Sequence, residues 1–251
     1  MTFTWSCQYF LYICRRLSPL TEHCIMCTSF TTDLYDGHLI FSFDGTKVLV
    51  DTGSPVTIGR QDVFLFMGKE YGCLTSFIGN DINDISSMMG YDIDVLMGMD
   101  VLADFCILTD YRQGLVTFSS KPIPFEHDSS TPILRGQRGA VCILLNVKGK
   151  TVKMALDTGA KISYIDDSLT AGETAFEIRD DFNPMTGHFA TPIFAMEAEI
   201  GGKTFPVNFG NLPPLLSLSL KMMNLDGAIG YDLFTAFTTM MDFHDNLLKI
   251  R

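Results

Sequence analysis

The chain has 251 residues and a formal net charge of −11, and 47% of its residues are hydrophobic. This length allows one or two domains with substantial cores, and an acidic chain without a basic cluster is not expected to bind nucleic acid. Strand patterns dominate and helical patterns are short, for example near Arg60–Met67 and Asp166–Ala171. We therefore expect an all-β fold with short helices.

The first 35 residues resemble nothing later in the chain. The apolar run at Phe10–Ile13 is too short to span a membrane, and Arg15 and Arg16 follow it, so neither a membrane anchor nor a signal peptide is predicted. Four cysteines here, with His23, come near zinc-ligand spacing but match no common finger. We expect residues 1–35 to be a disordered tail or a mis-assigned start. No metal is predicted, and a cytoplasmic location is expected.

The tripeptide Asp-Thr-Gly occurs twice, each time at the end of an apolar strand pattern. The copies are Asp51, Thr52 and Gly53, and then Asp157, Thr158 and Gly159. Before each copy the sequence predicts an apolar strand, a tight turn containing glycine and a return strand, which together form a hairpin. Two copies in matched surroundings indicate two equivalent halves that each supply one carboxylate.

The similarity continues downstream of both triplets. Val95–Leu102 matches Gly227–Phe234, and each segment carries an apolar pair followed by glycine, at Gly98 and Gly230. Short helices are predicted next, at 100–105 and 232–237, followed by a closing hairpin in each half. An internal repeat of about 100 residues is thus the main organisational feature. Asp100 and Asp232 begin the helices, and we interpret them as structural residues and not as metal ligands.

The paired motifs resemble those of aspartic proteases of the retropepsin and pepsin clan, as two retropepsin-like units fused in one chain. The resemblance implies an acid-protease fold with two β lobes related by a pseudo-twofold axis. It places the first lobe at residues 36–120, a linker at 121–139 and the second lobe at 140–251. The linker assignment also rests on its content of proline, serine and glycine.

The same resemblance implies a function for the triplets. Asp51 and Asp157 would form a catalytic dyad that shares one proton, with no cofactor, and the sequence leaves open which of them is the acid. Thr52 and Thr158 would bond across to the opposite loop, and Gly53 and Gly159 would let the loops approach. In this clan the segments ending at Gly98 and Gly230 cross the catalytic loops.

The residue after each triplet differs between the halves. Ser54 carries a hydroxyl that could hydrogen-bond Asp51, whereas Ala160 has none to offer Asp157. We therefore expect a dyad that is protonated more easily than in pepsin-like enzymes, and a pH optimum from mildly acidic to near neutral.

The halves also differ in length, because the second has 26 more residues between its triplet and its closing glycine. That insert predicts a hairpin between Glu177 and Phe194, which could serve as a flap over a substrate or be an ordinary surface hairpin. The first half, over Phe64–Ile85, shows no clear hairpin pair, so we predict one flap. Its candidate residues are Met185, Thr186, Gly187, His188 and Phe189.

These inferences predict a monomeric aspartic endopeptidase that acts on peptide or protein substrates and binds neither nucleic acid nor membrane. Apolar side chains flanking the scissile bond are expected, with Ile58, Ile162, Met185 and Phe189 as candidates to line the pockets. The alternative is a protease-like peptide-binding module without activity. A dimer of chains, as in single-unit retropepsins, is a further alternative that the duplication makes unnecessary.

Overall fold

The computed structural model describes residues 27–251, and strands are the main secondary structure in both halves. The strands are β1 (Cys27–Tyr35), β2 (His38–Phe43), β3 (Thr46–Val50), β4 (Ile58–Gly59), β5 (Val63–Phe66), β6 (Lys69–Gly72), β7 (Ser76–Phe77), β8 (Asn80–Asp81), β9 (Val95–Met97), β10 (Cys106–Asp110), β11 (Leu115–Ser119), β12 (Ser129–Pro132), β13 (Leu134–Arg135), β14 (Val141–Val147), β15 (Lys150–Leu156), β16 (Ser163–Ile165), β17 (Glu177–Asn183), β18 (Gly187–Ile200), β19 (Lys203–Gly210), β20 (Gly227–Ile229), β21 (Thr239–Asp242) and β22 (Leu247–Ile250). The α-helices span Ile82–Met89, Met99–Leu102, Asp167–Thr170, Pro214–Met222 and Tyr231–Ala236.

The same arrangement of strands occurs in each half. In the first half, β3 leads to Asp51 and lies parallel to β9, which also pairs antiparallel with β4. In the second half, β15 leads to Asp157 and lies parallel to β20, which pairs antiparallel with β16. In both halves, a strand from later in the chain therefore lies between the strand that enters the triplet and the strand that leaves it.

The two halves are joined by a continuous sheet. Its ten strands run in the order β12, β22, β21, β10, β11, β1, β2, β3, β9 and β4, and the pairing of β10 with β21 connects the halves. Across this pair, the hydroxyls of Thr109 and Thr239 are 2.7 Å apart and hydrogen-bonded. One apolar cluster also draws on both halves, including Phe118, Ile143 and Phe234. The all-β expectation is confirmed, and the shared sheet and core hold the halves as one body.

The expectation of a disordered tail is wrong for residues 27–35, which form β1. Phe30 pairs with Val116 of β11, and Leu34 pairs with Leu39 of β2. The Phe30 ring lies 4.7 Å from that of Phe41, so burial of this aromatic side chain helps to hold the strand in the sheet. Residues 1–26 lie outside the described residues, and with them His23 and three of the four cysteines of the possible zinc spacing, whereas the fourth, Cys27, begins β1.

The segment 121–139, predicted as a linker, contains two short strands. Ser129–Pro132 pairs with β22, and Leu134–Arg135 pairs with β14. Pro132 is compatible with a strand here because β12 is the end strand of its sheet, where a missing N–H can face away from the partner. Because proline and serine are typical of loops, the composition of this segment did not indicate its two strands.

The first half contains two hairpins where none was predicted. One joins β5 to β6 through Met67 and Gly68, and the other joins β7 to β8 through Ile78 and Gly79. All four turn residues have positive φ, between 50° and 82°, as two-residue hairpin turns of type I′ require. Met and Ile rarely adopt this conformation, which is why the sequence did not indicate the turns. The helix suggested near Arg60–Met67 is wrong for the same region, because residues 63–66 form β5.

Within residues 27–251, no helix combines the length and apolar character needed to cross a lipid bilayer.

Candidate active site

The two triplet loops are positioned by equivalent backbone contacts. The N–H of Asp51 donates to the Met97 carbonyl and that of Asp157 to the Ile229 carbonyl, each at 3.0 Å. The loops then pass Gly98 and Gly230 so closely that a methyl group at either glycine would lie 2.2 Å from a backbone oxygen. Glycine is therefore required at both crossings.

Thr52 and Thr158 form a reciprocal set of hydrogen bonds between the halves. The N–H of Thr52 donates to Oγ1 of Thr158, and the N–H of Thr158 donates to Oγ1 of Thr52, both at 3.0 Å. Each hydroxyl then donates across the interface at 2.7 Å, to the carbonyl of Leu156 or of Val50. Both threonines are at most 2% exposed, so these four bonds are shielded from water and fix the separation of the loops.

The carboxyl groups of Asp51 and Asp157 meet at the centre of this arrangement. They lie close enough for each to affect the pKa of the other, and both residues stay partly accessible to solvent. A methyl group at Gly53 would lie 2.4 Å from Oδ2 of Asp157, and one at Gly159 would lie 2.7 Å from Oδ1 of Asp51. The absence of a side chain at these glycines is what allows the carboxyls to come together.

The environments of the two carboxyls differ. Oδ1 of Asp51 accepts from the N–H groups of Gly53 at 2.8 Å and Ser54 at 3.1 Å. Oδ1 of Asp157 accepts from the N–H of Gly159 at 2.9 Å, and Ala160 N–H donates to the Asp157 backbone carbonyl instead, at 3.4 Å. An additional amide donor stabilises a carboxylate, so Asp51 is the better site for the negative charge.

Burial raises the pKa of both groups. For Asp157, burial and then the neighbouring charge of Asp51 raise the pKa to about 8. For Asp51, burial also raises the pKa, while the N–H groups of Gly53 and Ser54 oppose the shift. Two carboxyls this close cannot both ionise easily, so their titrations are linked.

The predicted bond from the Ser54 hydroxyl to Asp51 is wrong. That hydroxyl donates to the Val56 carbonyl at 2.7 Å, and Ser54 contacts Asp51 through its backbone N–H. The rigid ring of Pro55 lies between Ser54 and Val56, so the serine side chain reaches this local acceptor more readily. The difference between the halves therefore comes from the backbone and not from the side chains of Ser54 and Ala160.

Asp100 and Asp232 have matched structural positions, as predicted. Asp100 accepts from the Thr57 hydroxyl at 2.7 Å, and Asp232 accepts from the Ser163 hydroxyl at 2.6 Å. Those two hydroxyls in turn accept from the N–H groups of Gly98 and Gly230. Through these two hydroxyls, both aspartates thus stabilise the segments that cross the triplet loops. Among the described residues, no group of three or more His, Cys, Asp or Glu is arranged to hold a metal ion.

The predicted hairpin of the second half forms, with Glu177 opposite Ile193 and Asn183 opposite Gly187. One of its faces packs on its own half, where the Tyr164 hydroxyl donates to Asp181 and the ring of Phe189 lies 6.2 Å from that of Tyr164. The Asp181 carboxylate is near enough to the dyad to contribute to raising the pKa of Asp157. The Asp181 carboxylate also lies 3.8 Å from the ammonium of Lys161, so the hairpin contacts the segment that follows the second triplet.

The tip of this hairpin reaches the first half. The side-chain amide of Asn80, in β8, donates to the Pro184 carbonyl at 2.8 Å. The ring of Phe182 packs against a first-half apolar cluster that includes Ile40, Leu49 and Ile58. The longer hairpin thus bridges the two halves and meets the short β7–β8 hairpin.

Only some of the predicted pocket residues are accessible. Ile58 and Ile162 are 3% and 2% exposed and belong to apolar cores. Phe189 packs on its own half, and Met185 is exposed at the hairpin tip. The residues that do line the contact between the hairpin and the first half include Phe182 and His38, which no sequence motif indicated.

Comparison with solved structures agrees with this architecture. The crystal structure of an aspartic proteinase from Irpex lacteus superimposes with a TM-score of 0.52 and 12% identity, over 89% of this chain and 96% of that chain. The solution structure of the Simian Foamy Virus (mac) protease matches 32% of this chain and 94% of its own, with a TM-score of 0.25 and 15% identity. No protein-family model matches the chain. No curated protein matches it either. The chain therefore has the acid-protease fold, with two β lobes and few short helices.

Proposed function

We propose that this chain is an aspartic endopeptidase in which Asp51 and Asp157 activate a water molecule for attack on a peptide bond. The observation that carries the proposal is the close approach of each carboxyl to the glycine of the opposite triplet, in loops that the reciprocal threonine bonds hold together. A buried pair that shares one proton supplies a base and an acid at the same centre.

The mechanism follows from the different environments of the two groups. Water bound between them loses a proton to ionised Asp51 as its oxygen bonds to the carbonyl carbon, and Asp157 gives its proton to the carbonyl oxygen. The tetrahedral diol then collapses. Asp51 protonates the departing nitrogen, a diol hydroxyl returns a proton to Asp157, and the C–N bond breaks. The dyad is thereby restored to its starting state.

The hairpin of residues 177–200 would serve as the flap of this enzyme. Its contacts with both halves, through Tyr164 and Asn80, support this function over that of an ordinary surface hairpin. An extended peptide in the cleft would lie beneath it and add strand-like hydrogen bonds. Because one chain supplies both triplets, we propose that the active species is a monomer. Light scattering would test this, and a dimeric active species would contradict it.

Peptide-library hydrolysis from pH 3 to pH 8 tests the catalytic proposal. We expect cleavage by the native chain and its loss in Asp51→Asn and Asp157→Asn, which keep the shape of the side chain. Asp62→Asn, at an exposed position of the first half, is the matched control and should retain activity. A peptide analogue with a tetrahedral hydroxyl in place of the scissile bond should inhibit cleavage. Peptide binding without cleavage by the native chain would instead support the inactive binding module.

A further inference from the structure

Phe182 contacts the first half, although another residue already attaches the hairpin to its own half. Adjacent residues on a strand point to opposite faces, and Asp181 already fixes the hairpin to its own half through Tyr164. Phe182 therefore points toward the other half, where its ring packs on the cluster around Ile40, Leu49 and Ile58. Leu49 lies two residues before Asp51, so this contact is close in the chain to the paired carboxyls.

The surroundings of the Phe182 ring combine apolar and polar groups. His38, the first residue of β2, places its ring 6.2 Å from that of Phe182, and the ring of His188, the cross-strand partner of Phe182, lies 6.0 Å away. The partly buried side chains of Tyr35 and Phe77 pack on the same first-half cluster. A site with these walls suits a planar aromatic ring, because ring edges and faces pack favourably on other rings.

His38 provides a second, independent observation. Its side chain is 4% exposed, yet neither ring nitrogen has a geometrically well-formed hydrogen bond among the described residues. The imidazole lies near the Gly159 backbone of the second triplet loop, and the charges of Asp36 and Lys161 are close by. A buried imidazole whose ring nitrogens lack well-formed hydrogen bonds is costly, so a polar group that reached it would be bound favourably.

We propose that Phe182 occupies, in the free protein, a first-half subsite that receives an aromatic side chain of the substrate, with His38 as its polar edge. This rests on the proposed function insofar as the bound molecule is a peptide. A peptide bearing a phenylalanine would displace the Phe182 ring and place its own ring on the cluster, while a backbone group of the peptide would pair with His38. A peptide bearing alanine at that place would leave Phe182 where it is. Phe182 and His38 thus determine specificity, and Phe182 lowers apparent affinity because the subsite must first be vacated.

Binding measurements on an inactivated chain test the proposal independently of cleavage. In an Asp51→Asn background, labelled peptides that differ by one Phe→Ala change are titrated against Phe182→Ala, Phe182→Leu and the parent. Ile178→Ala is the matched control, because Ile178 lies on the same strand and face but is 74% exposed. Far-UV circular dichroism and thermal unfolding verify that each variant is folded.

We expect Phe182→Ala to bind the phenylalanine peptide about tenfold more tightly than the parent, with little change for the alanine peptide. Phe182→Leu should lie between the two, and Ile178→Ala should match the parent. N-acetyl-phenylalaninamide should bind Phe182→Ala in saturation-transfer NMR and compete with the peptide. If Phe182→Ala weakened the binding of both peptides equally, Phe182 would only contact the substrate. If the variant left both affinities unchanged, no subsite would lie beneath Phe182. Either result overturns the proposal, whereas failure of the native chain to cleave peptides would overturn only the proposed catalysis.

Discussion

Replacing Thr158 with valine should weaken the junction of the two halves. Valine has nearly the shape of threonine but lacks the hydroxyl that donates to the Val50 carbonyl and accepts from the Thr52 N–H. Two buried backbone groups would lose their partners, and each such loss costs about 1–3 kcal/mol. We expect the free energy of unfolding to fall by about 4 kcal/mol, a large part of the ~5–15 kcal/mol typical of a domain.

Thr158→Ser is the matched control for this change. It keeps both hydrogen bonds and removes one methyl group, so a loss of about 1 kcal/mol is expected. The pseudo-symmetry also predicts that Thr52→Val costs as much as Thr158→Val, because the bond lengths in the two halves are the same. Urea denaturation followed by far-UV circular dichroism measures all three variants, provided the m-value is unchanged. If the valine and serine variants lose equal stability, the reciprocal bonds do not hold the halves together.

The remaining predictions concern the paired carboxyls. Gly53→Ala should reduce kcat/KM by about 100-fold or more, because its methyl group would lie 2.4 Å from Oδ2 of Asp157, whereas Gly72→Ala, which meets no atom within 4 Å, should be nearly silent. The raised pKa of Asp157 contributes stability that is complete below pH 3.8 and is lost as pH rises through about 8. Unfolding experiments across this range should therefore show a decline that Asp157→Asn makes shallower, and an unchanged slope would contradict the shift. Ser54→Ala should leave the pH profile of peptide cleavage unaltered, since the serine hydroxyl bonds to Val56; a displaced profile would show that the hydroxyl acts on Asp51 after all.

The repeated features of the fold could be predicted from sequence because they depend on local patterns. Glycine at 98 and 230 follows apolar strands in both halves, and the hairpin from Glu177 to Ile193 alternates around a clear turn. Asp100 could be interpreted as structural because its partner in the repeat, Asp232, has the same position relative to a helix.

Other features depend on contacts that no local pattern contains. The turn at Met67 requires a positive φ that methionine rarely adopts, so packing of the buried Phe64 and Phe66 rings must favour it over local preference. The direction of the Ser54 hydroxyl is decided by the nearest acceptor and not by its place in the motif. Contacts between Phe182 and His38 join residues 144 positions apart in the chain, and only the assembled fold brings them together.

The hairpins of the two halves are unequal, and this inequality affects the direction in which a peptide would bind. A cleft made by two identical subunits presents the same surroundings to a ligand running in either direction, so the two orientations are degenerate. Here the hairpin of the second half has seven paired positions, and the β7–β8 hairpin that it meets in the first half has two. Under the proposed function, a cleft with such unequal sides would distinguish the amino end of a peptide from its carboxyl end.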